Sequence, residues 1–265
     1  MIKVMVCGAN GKMGREVLKA VHNDPELTIV GAVDVHSTFD DIGNLIGINP
    51  IGIKVGNNLK TVIQETQPQV MVDFTNPQSV MNNIQTALSM GVSPVVGTTG
   101  LSETDVEEVS KLCEKWKTSA LISPNFSVGA VLMMKLAQEA AKFFPHVEII
   151  EMHHDQKLDA PSGTALRTAQ LIAEKRGYLQ QGHPDEVEKL KGARGGDLSG
   201  IRLHSVRLPG YVAHQEVIFG GIGQTLTIRH DSISRESFMP GVLLACKNVL
   251  NANGLIYGLE KLMMQ

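Results

Sequence analysis

The sequence predicts an α/β fold in two parts, a doubly wound parallel sheet and a second α+β domain with a mostly antiparallel sheet. In the first half, short runs rich in Val and Ile alternate with amphipathic stretches, a pattern typical of parallel strands joined by helices. A glycine-rich turn follows the first of these runs. After about residue 125, strand-like runs follow one another with few helices between them, which favours an antiparallel sheet.

The first half contains five candidate strands that are apolar on both faces, as expected for central strands of a covered parallel sheet. They are residues 2–6, 27–33, 70–74, 93–96 and 120–122. Met13, Val17, Ala20 and Val21 form one apolar helical stripe. A second helix is predicted from Ser102 to about residue 117, because Ser102 and Asp105 have the spacing of a capping box.

The second half begins with a predicted helix over residues 128–144, which ends at Pro145. Candidate strands follow at residues 147–152, 201–208, 216–219 and 225–229, and a further helix is predicted at about 236–250. The polar segment 177–199 is predicted to be a surface loop. We therefore expect a dinucleotide-binding domain of residues 1–126 and 236–265, and a substrate-binding and oligomerisation domain of residues 127–235.

Composition excludes several classes of protein. The 265 residues include 24 Lys and Arg against 27 Asp and Glu, so the basic excess of a nucleic-acid-binding protein is missing. Apolar runs are too short to span a bilayer, and no leader pattern precedes the first strand. The three cysteines are far apart, which argues against disulfides and thiolate metal sites. We expect a cytoplasmic protein that binds neither membranes nor nucleic acid.

The glycine-rich turn has the spacing of a dinucleotide-binding loop. Gly8 permits the tight turn, Gly11 allows the backbone to approach a pyrophosphate, and Gly14 allows close packing of helix on sheet. Asp34 follows the second strand, where a carboxylate accepts hydrogen bonds from the adenosine ribose. This context favours a Rossmann-like nucleotide site over a turn that binds no ligand.

The nucleotide is expected to be NADH or NADPH, with a lean to NADH. Asp34 would repel the 2′-phosphate of NADPH, and no Arg follows it, since the next residues are Val35 and His36. Lys12 lies in the phosphate loop and remains able to pair with a 2′-phosphate.

Three more loops follow predicted strands, at the edge where open α/β sheets bind ligands. One contains Gly97, Thr98 and Thr99, and another contains Ser123, Pro124, Asn125 and Phe126. Ordinary turns with helix caps explain both loops about as well. The loop of residues 73–77 is interpreted mainly as a cap and turn.

The densest chemical signal lies in residues 151–165. His153, His154 and Lys157 fall within five positions, ahead of a predicted helix whose first N–H groups belong to Gly163 and Thr164. Cationic side chains and a helix N-terminus together favour an anionic, carboxylate-bearing substrate. A histidine and a desolvated lysine can also transfer protons near neutral pH.

Other interpretations of these residues remain open. A metal site is disfavoured because adjacent histidines on a strand point to opposite faces, and we expect no metal. The histidines are also compatible with an exposed strand end. Ser162 is better explained as a helix cap than as a nucleophile, and Cys113 as a core residue beside Leu112 and Trp116.

These residues resemble a known family. Residues 151–165, EMHHDQKLDAPSGTA, are similar to the signature E-x-H-H-x-x-K-x-D-A-P-S-G-T-A of the 4-hydroxy-tetrahydrodipicolinate (dihydrodipicolinate) reductases of lysine biosynthesis. The similarity extends over nearly the whole chain, through residues 8–14, 72–75, 97–100, 125–129, 204–207 and 254–260.

The resemblance implies reduction of a cyclic imine dicarboxylate by NAD(P)H, with loss of the 4-hydroxyl group as water, to give (S)-2,3,4,5-tetrahydrodipicolinate. It implies that His153 is a proton donor and acceptor and that Lys157 is a second proton donor. It also implies that His154 contacts the substrate, while Gly163 and Thr164 bind a carboxylate. The cofactor contacts that it implies are Gly8, Ala9, Asn10, Gly11, Lys12, Met13, Asp34, Gly97, Thr98, Thr99, Ser123, Pro124, Asn125 and Phe126.

The resemblance further implies a homotetramer assembled through the sheet of the second domain, a C-terminal helix that rejoins the first domain, and a nicotinamide that faces the substrate in the interdomain cleft. Gln224 stands where the family has Glu, and Val35 where relatives often have Arg, so cofactor preference is not implied. Two alternatives remain: another two-domain dehydrogenase of amino-acid metabolism, or a non-catalytic NAD-binding sensor, which would not need His153, Lys157 and the anion site together.

Overall fold

The computed structural model describes residues 1–36 and 40–263, and the chain divides into two compact units. The first unit comprises Met1–Phe126 and Phe238–Gln265, and the second comprises Ser127–Ser237. Within the described residues, no helix is both long enough and apolar enough to cross a membrane.

The first unit is built on a seven-stranded sheet in the order β12-β6-β5-β4-β1-β2-β3, in which every pairing is parallel. Its strands are β1 (Ile2–Cys7), β2 (Leu27–Val33), β3 (Val55–Gly56), β4 (Val70–Asp73), β5 (Ser93–Val96), β6 (Ala120–Ile122) and β12 (Leu255–Tyr257). The doubly wound parallel sheet predicted from the sequence is confirmed.

Burial explains why these strands are apolar on both faces. Val4, Met5, Val6, Val70 and Met71 are all fully buried, because helices cover both sides of the sheet. The helices of this unit are α1 (Lys12–Asn23), α2 (Ile42–Ile46), α3 (Leu59–Thr66), α4 (Pro77–Ser89), α5 (Glu103–Trp116), α8 (Met239–Asn248) and α9 (Glu260–Met263). Two short 3-10 helices, Arg235–Phe238 and Val249–Asn251, flank α8.

Local signals in the sequence explain where several helices begin. Ser102 and Asp105 form the predicted capping box of α5, with both reciprocal bonds present. Asn76 caps α4 by accepting from the amides of Gln78 and Ser79. The buried stripe of α1 includes Val17 and Val21 as predicted.

The second unit contains a five-stranded sheet in the order β11-β10-β7-β9-β8. Three of its four pairings are antiparallel, and only β7 with β9 is parallel. Its strands are β7 (His146–His153), β8 (Gly196–Leu198), β9 (Ile201–Arg207), β10 (Ala213–Gly221) and β11 (Gln224–Ser232), and its helices are α6 (Val128–Ala140) and α7 (Gly163–Arg176). The predicted, mostly antiparallel second sheet is therefore confirmed.

Alternation along β7 separates two faces of this sheet. Val147, Ile149 and Glu151 are buried, whereas Glu148 and Ile150 on the other face are half-buried. Helix α7 packs on the buried face, where Gln215 of β10 donates to the hydroxyl of Thr168 of α7 at 2.8 Å.

Some predicted boundaries were wrong. Helix α6 ends at Ala140 rather than at residue 144, because the chain tightens into a turn in which the amide of Phe143 donates to the carbonyl of Ala140. The α-conformation is also unfavourable for Phe144, which precedes Pro145. The exposed segment 177–199 is not loop throughout, since its end forms β8. Elements α2, β3 and α3 were not predicted, because each of them is short.

Candidate active site

The glycine-rich turn lies between β1 and α1. Gly8 has a φ of +80°, and a Cβ there would lie 2.5 Å from the carbonyl oxygen of Phe74. A Cβ at Gly14 would lie 2.0 Å from the carbonyl oxygen of Gly8. Both positions therefore require glycine if the turn is to lie against β4 and the start of α1.

Asp34 and Asn10 join this turn to the end of β2. The carboxylate of Asp34 accepts from the amides of Asn10 and His36, each at 3.0 Å, which fixes the position of its negative charge. The side-chain oxygen of Asn10 is buried and accepts no hydrogen bond from the described residues. A buried acceptor without a donor is rare in proteins, so a ligand donor would suit this position.

The N-terminus of α1 completes a cradle that fits a dinucleotide. Its N-cap is Gly11, which has no side chain to cap the first amides of the helix. Such amides, together with the helix dipole, favour a phosphate. Residues Gly8 to Met13 would hold the pyrophosphate and Asp34 the adenosine ribose.

A buried carboxylate, Asp73, links the loops that follow β4 and β5. It accepts from the hydroxyls of Thr75 and Thr98, each at 2.7 Å, and from the side-chain amide of Asn83 at 2.8 Å. The hydroxyl of Thr98 in turn accepts from the amide of Thr75. Residues 73–77 were predicted mainly as a cap and turn, and their sequence does not indicate this hydrogen-bonded link between two loops.

Aromatic packing holds the loops that follow β4, β5 and β6 together. The rings of Phe74 and Phe126 have centroids 5.9 Å apart, and a Cβ at Gly97 would lie 2.1 Å from the Phe74 ring. The hydroxyl of Ser123 donates to the carbonyl of Asn125 at 2.7 Å. Thr98 and Phe126 are thus buried in loop packing, while Thr99 and Pro124 are exposed.

His153 ends β7 in the second unit and is bound to a buried glutamate. Its Nδ1 lies 2.5 Å from Oε2 of Glu151, a side chain with no exposed surface. Arg207 of β9 donates to both carboxylate oxygens of Glu151, at 2.7 and 3.0 Å. The parallel register places Arg207 opposite His153, so that all three side chains share one face of the sheet.

Electrostatics keep Glu151 ionised. Burial by itself would raise the pKa of this carboxyl group, but hydrogen bonds from His153, Arg207 and Ser205 outweigh it and lower the pKa to about 2. The glutamate therefore carries its negative charge throughout the neutral range.

Lys157 and His154 lie in the loop between β7 and α7. The ammonium group of Lys157 donates to Asp159 at 2.7 Å, while His154 is exposed. Arg207 also donates to the backbone carbonyl of Asp159 at 2.7 Å. The cluster is less cationic than the sequence predicted, because Glu151 and Asp159 pair with Arg207 and Lys157.

The start of α7 has the geometry that the sequence predicted. The hydroxyl of Ser162 accepts from the amide of Ala165 at 3.2 Å, as expected for an N-cap. Gly163 and Thr164 form the first turn, and a Cβ at Gly163 would meet no atom within 4 Å. The space beside the Cα of Gly163 is therefore open.

Cys113 lies in the core, as the sequence predicted, and burial raises the pKa of its thiol to about 11. Trp116, which was grouped with it, is instead 42% exposed. No role was predicted from the sequence for Glu151, Arg207 or Asp159. For Glu151, the sequence did contain a signal: Glu151 and His153 are two residues apart on a strand, which places both side chains on the same face.

The chain is similar to known proteins along nearly its whole length. Residues 2–126 match the family model for the N-terminus of dihydrodipicolinate reductase, and residues 129–263 match the model for its C-terminus. The 4-hydroxy-tetrahydrodipicolinate reductase of Desulfitobacterium hafniense (strain DSM 10664 / DCB-2) is 56% identical over 98% of this chain and 97% of that protein. The enzyme of that name from Syntrophomonas wolfei is 53% identical over 98% of each chain.

A solved structure is similar along the same length. Dihydrodipicolinate reductase from Paenisporosarcina sp. TG-14, with dipicolinate bound, superposes with a TM-score of 0.87 at 47% identity, over 98% of this chain and 99% of that one. Since both halves match and relatives exceed 50% identity along nearly the full length, the chain belongs to the dihydrodipicolinate reductase family of NAD(P)H-dependent oxidoreductases.

Proposed function

We propose that His153 and Lys157 supply the protons for the reaction of this family, the reduction of 4-hydroxy-tetrahydrodipicolinate. In that reaction the ring loses its hydroxyl group as water and gains one hydride and one proton, which gives (S)-2,3,4,5-tetrahydrodipicolinate. NAD(P)H supplies the hydride when it is bound. The contact between His153 and the ionised Glu151 carries the assignment, since a carboxylate partner suits a histidine that exchanges protons.

One carboxylate and the ring of the substrate are assigned to three residues. The first-turn amides of Gly163 and Thr164 would bind one carboxylate, supported by the open space at Gly163 and by the helix dipole. His154, which is exposed in the loop between β7 and α7, would contact the ring. Fixed donors of this kind favour an anionic substrate without reorganising during the reaction.

The activity is tested with the purified chain and freshly generated 4-hydroxy-tetrahydrodipicolinate, by following the absorbance of the reduced nicotinamide. We expect nucleotide oxidation that depends on both substrates. We also expect the planar analogue pyridine-2,6-dicarboxylate to bind tightly only in the presence of nucleotide. Failure of both tests would favour a nucleotide-binding sensor instead.

NADH is proposed as the preferred nucleotide, with NADPH tolerated. The fixed charge of Asp34 would repel a 2′-phosphate, whereas Lys12, in the phosphate loop, would pair with it and so allow NADPH to bind.

Replacing Asp34 with asparagine should therefore reduce the preference for NADH by about fivefold, because a partly exposed charge pair contributes about 1 kcal/mol. The ratio of the Michaelis constants for the two nucleotides measures this effect. Glu65→Gln, which removes a charge from an exposed position on α3, serves as the control. An unchanged ratio in Asp34→Asn would show that this carboxylate does not select the nucleotide.

A homotetramer is proposed, assembled through the face of the second sheet that carries Ile150 and Ile218. Both side chains are half-buried and lie on the opposite face from Glu151. Sedimentation equilibrium should then give about four times the mass of one chain, and a monomer would contradict the proposal.

A further inference from the structure

Glu151 is a fully buried carboxylate to which the proposed reaction assigns no step. An ionised carboxylate is costly to bury unless hydrogen bonds and an opposite charge compensate for it. Here Arg207 forms a bidentate ion pair with the carboxylate, and the amide of Ser162 donates to it at 3.3 Å. Ser205 and His153 also form hydrogen bonds with this carboxylate, so a buried, compensated charge contacts a proposed proton donor.

The charge on Glu151 determines how His153 is protonated. An ionised carboxylate has no proton to donate, so the 2.5 Å contact requires a proton on Nδ1 of His153. The proton that His153 exchanges with substrate must then be carried by Nε2. In other catalytic histidines, too, a carboxylate partner fixes the tautomer by accepting the proton on Nδ1.

Arg207 connects the same carboxylate to the loop of Lys157. One of its nitrogens, Nη2, donates to Glu151 and also to the carbonyl oxygen of Asp159, both at 2.7 Å. The side chain of Asp159 accepts from Lys157. One guanidinium therefore contacts the partners of both proposed proton donors.

We propose that Glu151 and Arg207 are positioning residues that orient His153 and Lys157 for proton transfer, an inference that rests on the proposed function. Glu151 holds the proton on Nδ1 of His153, so that Nε2 gives its proton to the ring and leaves a neutral imidazole, which water reprotonates. Arg207 keeps Glu151 charged and fixes the backbone beside Lys157.

The wild-type protein provides the first test, through solid-state 15N NMR of histidine-labelled protein at alkaline pH. The signals of His153 are identified by their loss in His153→Gln. We expect a protonated Nδ1 and an unprotonated Nε2, and the opposite tautomer would overturn the proposal. This measurement needs no substrate, so it separates failure of this inference from failure of the proposed function.

Glu151→Gln provides the second test, because glutamine keeps the shape but removes the charge. We expect kcat to fall by about 10- to 100-fold, as for other residues that orient a histidine, while the Michaelis constant for the ring substrate changes less than about threefold. The dissociation constant for nucleotide, whose candidate site lies in the first unit, should not change.

The matched control is Glu174→Gln, which removes a carboxylate paired with Arg167 in the same unit. Arg207→Lys keeps the positive charge but lacks the planar guanidinium group that donates to Glu151 and Asp159 together. We therefore expect a smaller fall in kcat than in Glu151→Gln, and an unchanged tautomer of His153. A kcat for Glu151→Gln equal to that of Glu174→Gln would overturn the proposal. If Glu151→Gln does not fold, the proposal is tested by the kcat of Arg207→Lys and by the tautomer of His153 in the wild-type 15N spectrum.

Discussion

Replacing both His153 and Lys157 with alanine should lower turnover at least ~10²-fold, the lower range for loss of acid–base catalysis. The reduced ring must take up a proton, and His153 and Lys157 are proton-bearing side chains that contact the carboxylates of Glu151 and Asp159. The expected loss lies in kcat, since the backbone amides proposed to bind a substrate carboxylate stay in place.

The control is a second double variant, His183→Ala with Lys189→Ala, which removes the same two functional groups from exposed positions in the same unit. It should retain near-normal turnover. The single variants His153→Ala and Lys157→Ala measure the contribution of each residue. If a variant lowers kcat at an unchanged Michaelis constant, the side chain that it removes acts only in the transition state. Near-normal turnover of the His153 and Lys157 double variant would refute the assigned roles.

Replacing Gly14 with alanine should weaken nucleotide binding at least ~10²-fold, because a misplacement of about 1 Å in a binding loop has effects of this size. The added Cβ would lie 2.0 Å from the carbonyl oxygen of Gly8 and 2.8 Å from its carbonyl carbon. Backbone atoms on both sides must then separate, which moves the N-terminus of α1 away from the phosphate loop.

Fluorescence titration with NADH measures this loss. The control is Gly196→Ala in β8, where the nearest atom to a Cβ is 3.9 Å away, and its affinity for NADH should match that of the wild type. A dissociation constant for Gly14→Ala within threefold of the wild-type value would show that the close approach of α1 to the loop is not needed for binding.

Much of the fold was predictable because its signals are local. Val and Ile runs identify β1, β2, β4, β5 and β6, since a central parallel strand is buried on both faces and needs no alternation. The start of α5 is encoded by Ser102 and Asp105. Short elements such as β3, with two residues, bury too little to leave a pattern in the sequence.

The candidate site was predictable only in part, because its geometry depends on strand pairing. His153 and Lys157 were identified from residue type and spacing along the chain. Arg207 lies far away in sequence and reaches Glu151 only because β9 pairs with β7 in the observed register. Likewise, the contact of Asp73 with Thr98 depends on the pairing of β4 with β5.

The central claim is that residues 151–164 form the dicarboxylate site of the reductase. Amide hydrogen exchange, measured with and without pyridine-2,6-dicarboxylate in the presence of NADH, tests it most directly. We predict slower exchange in the peptide that contains Gly163 and Thr164, where amides would donate to the bound carboxylate. Unchanged exchange in this peptide, with protection elsewhere in the chain, would contradict the claim.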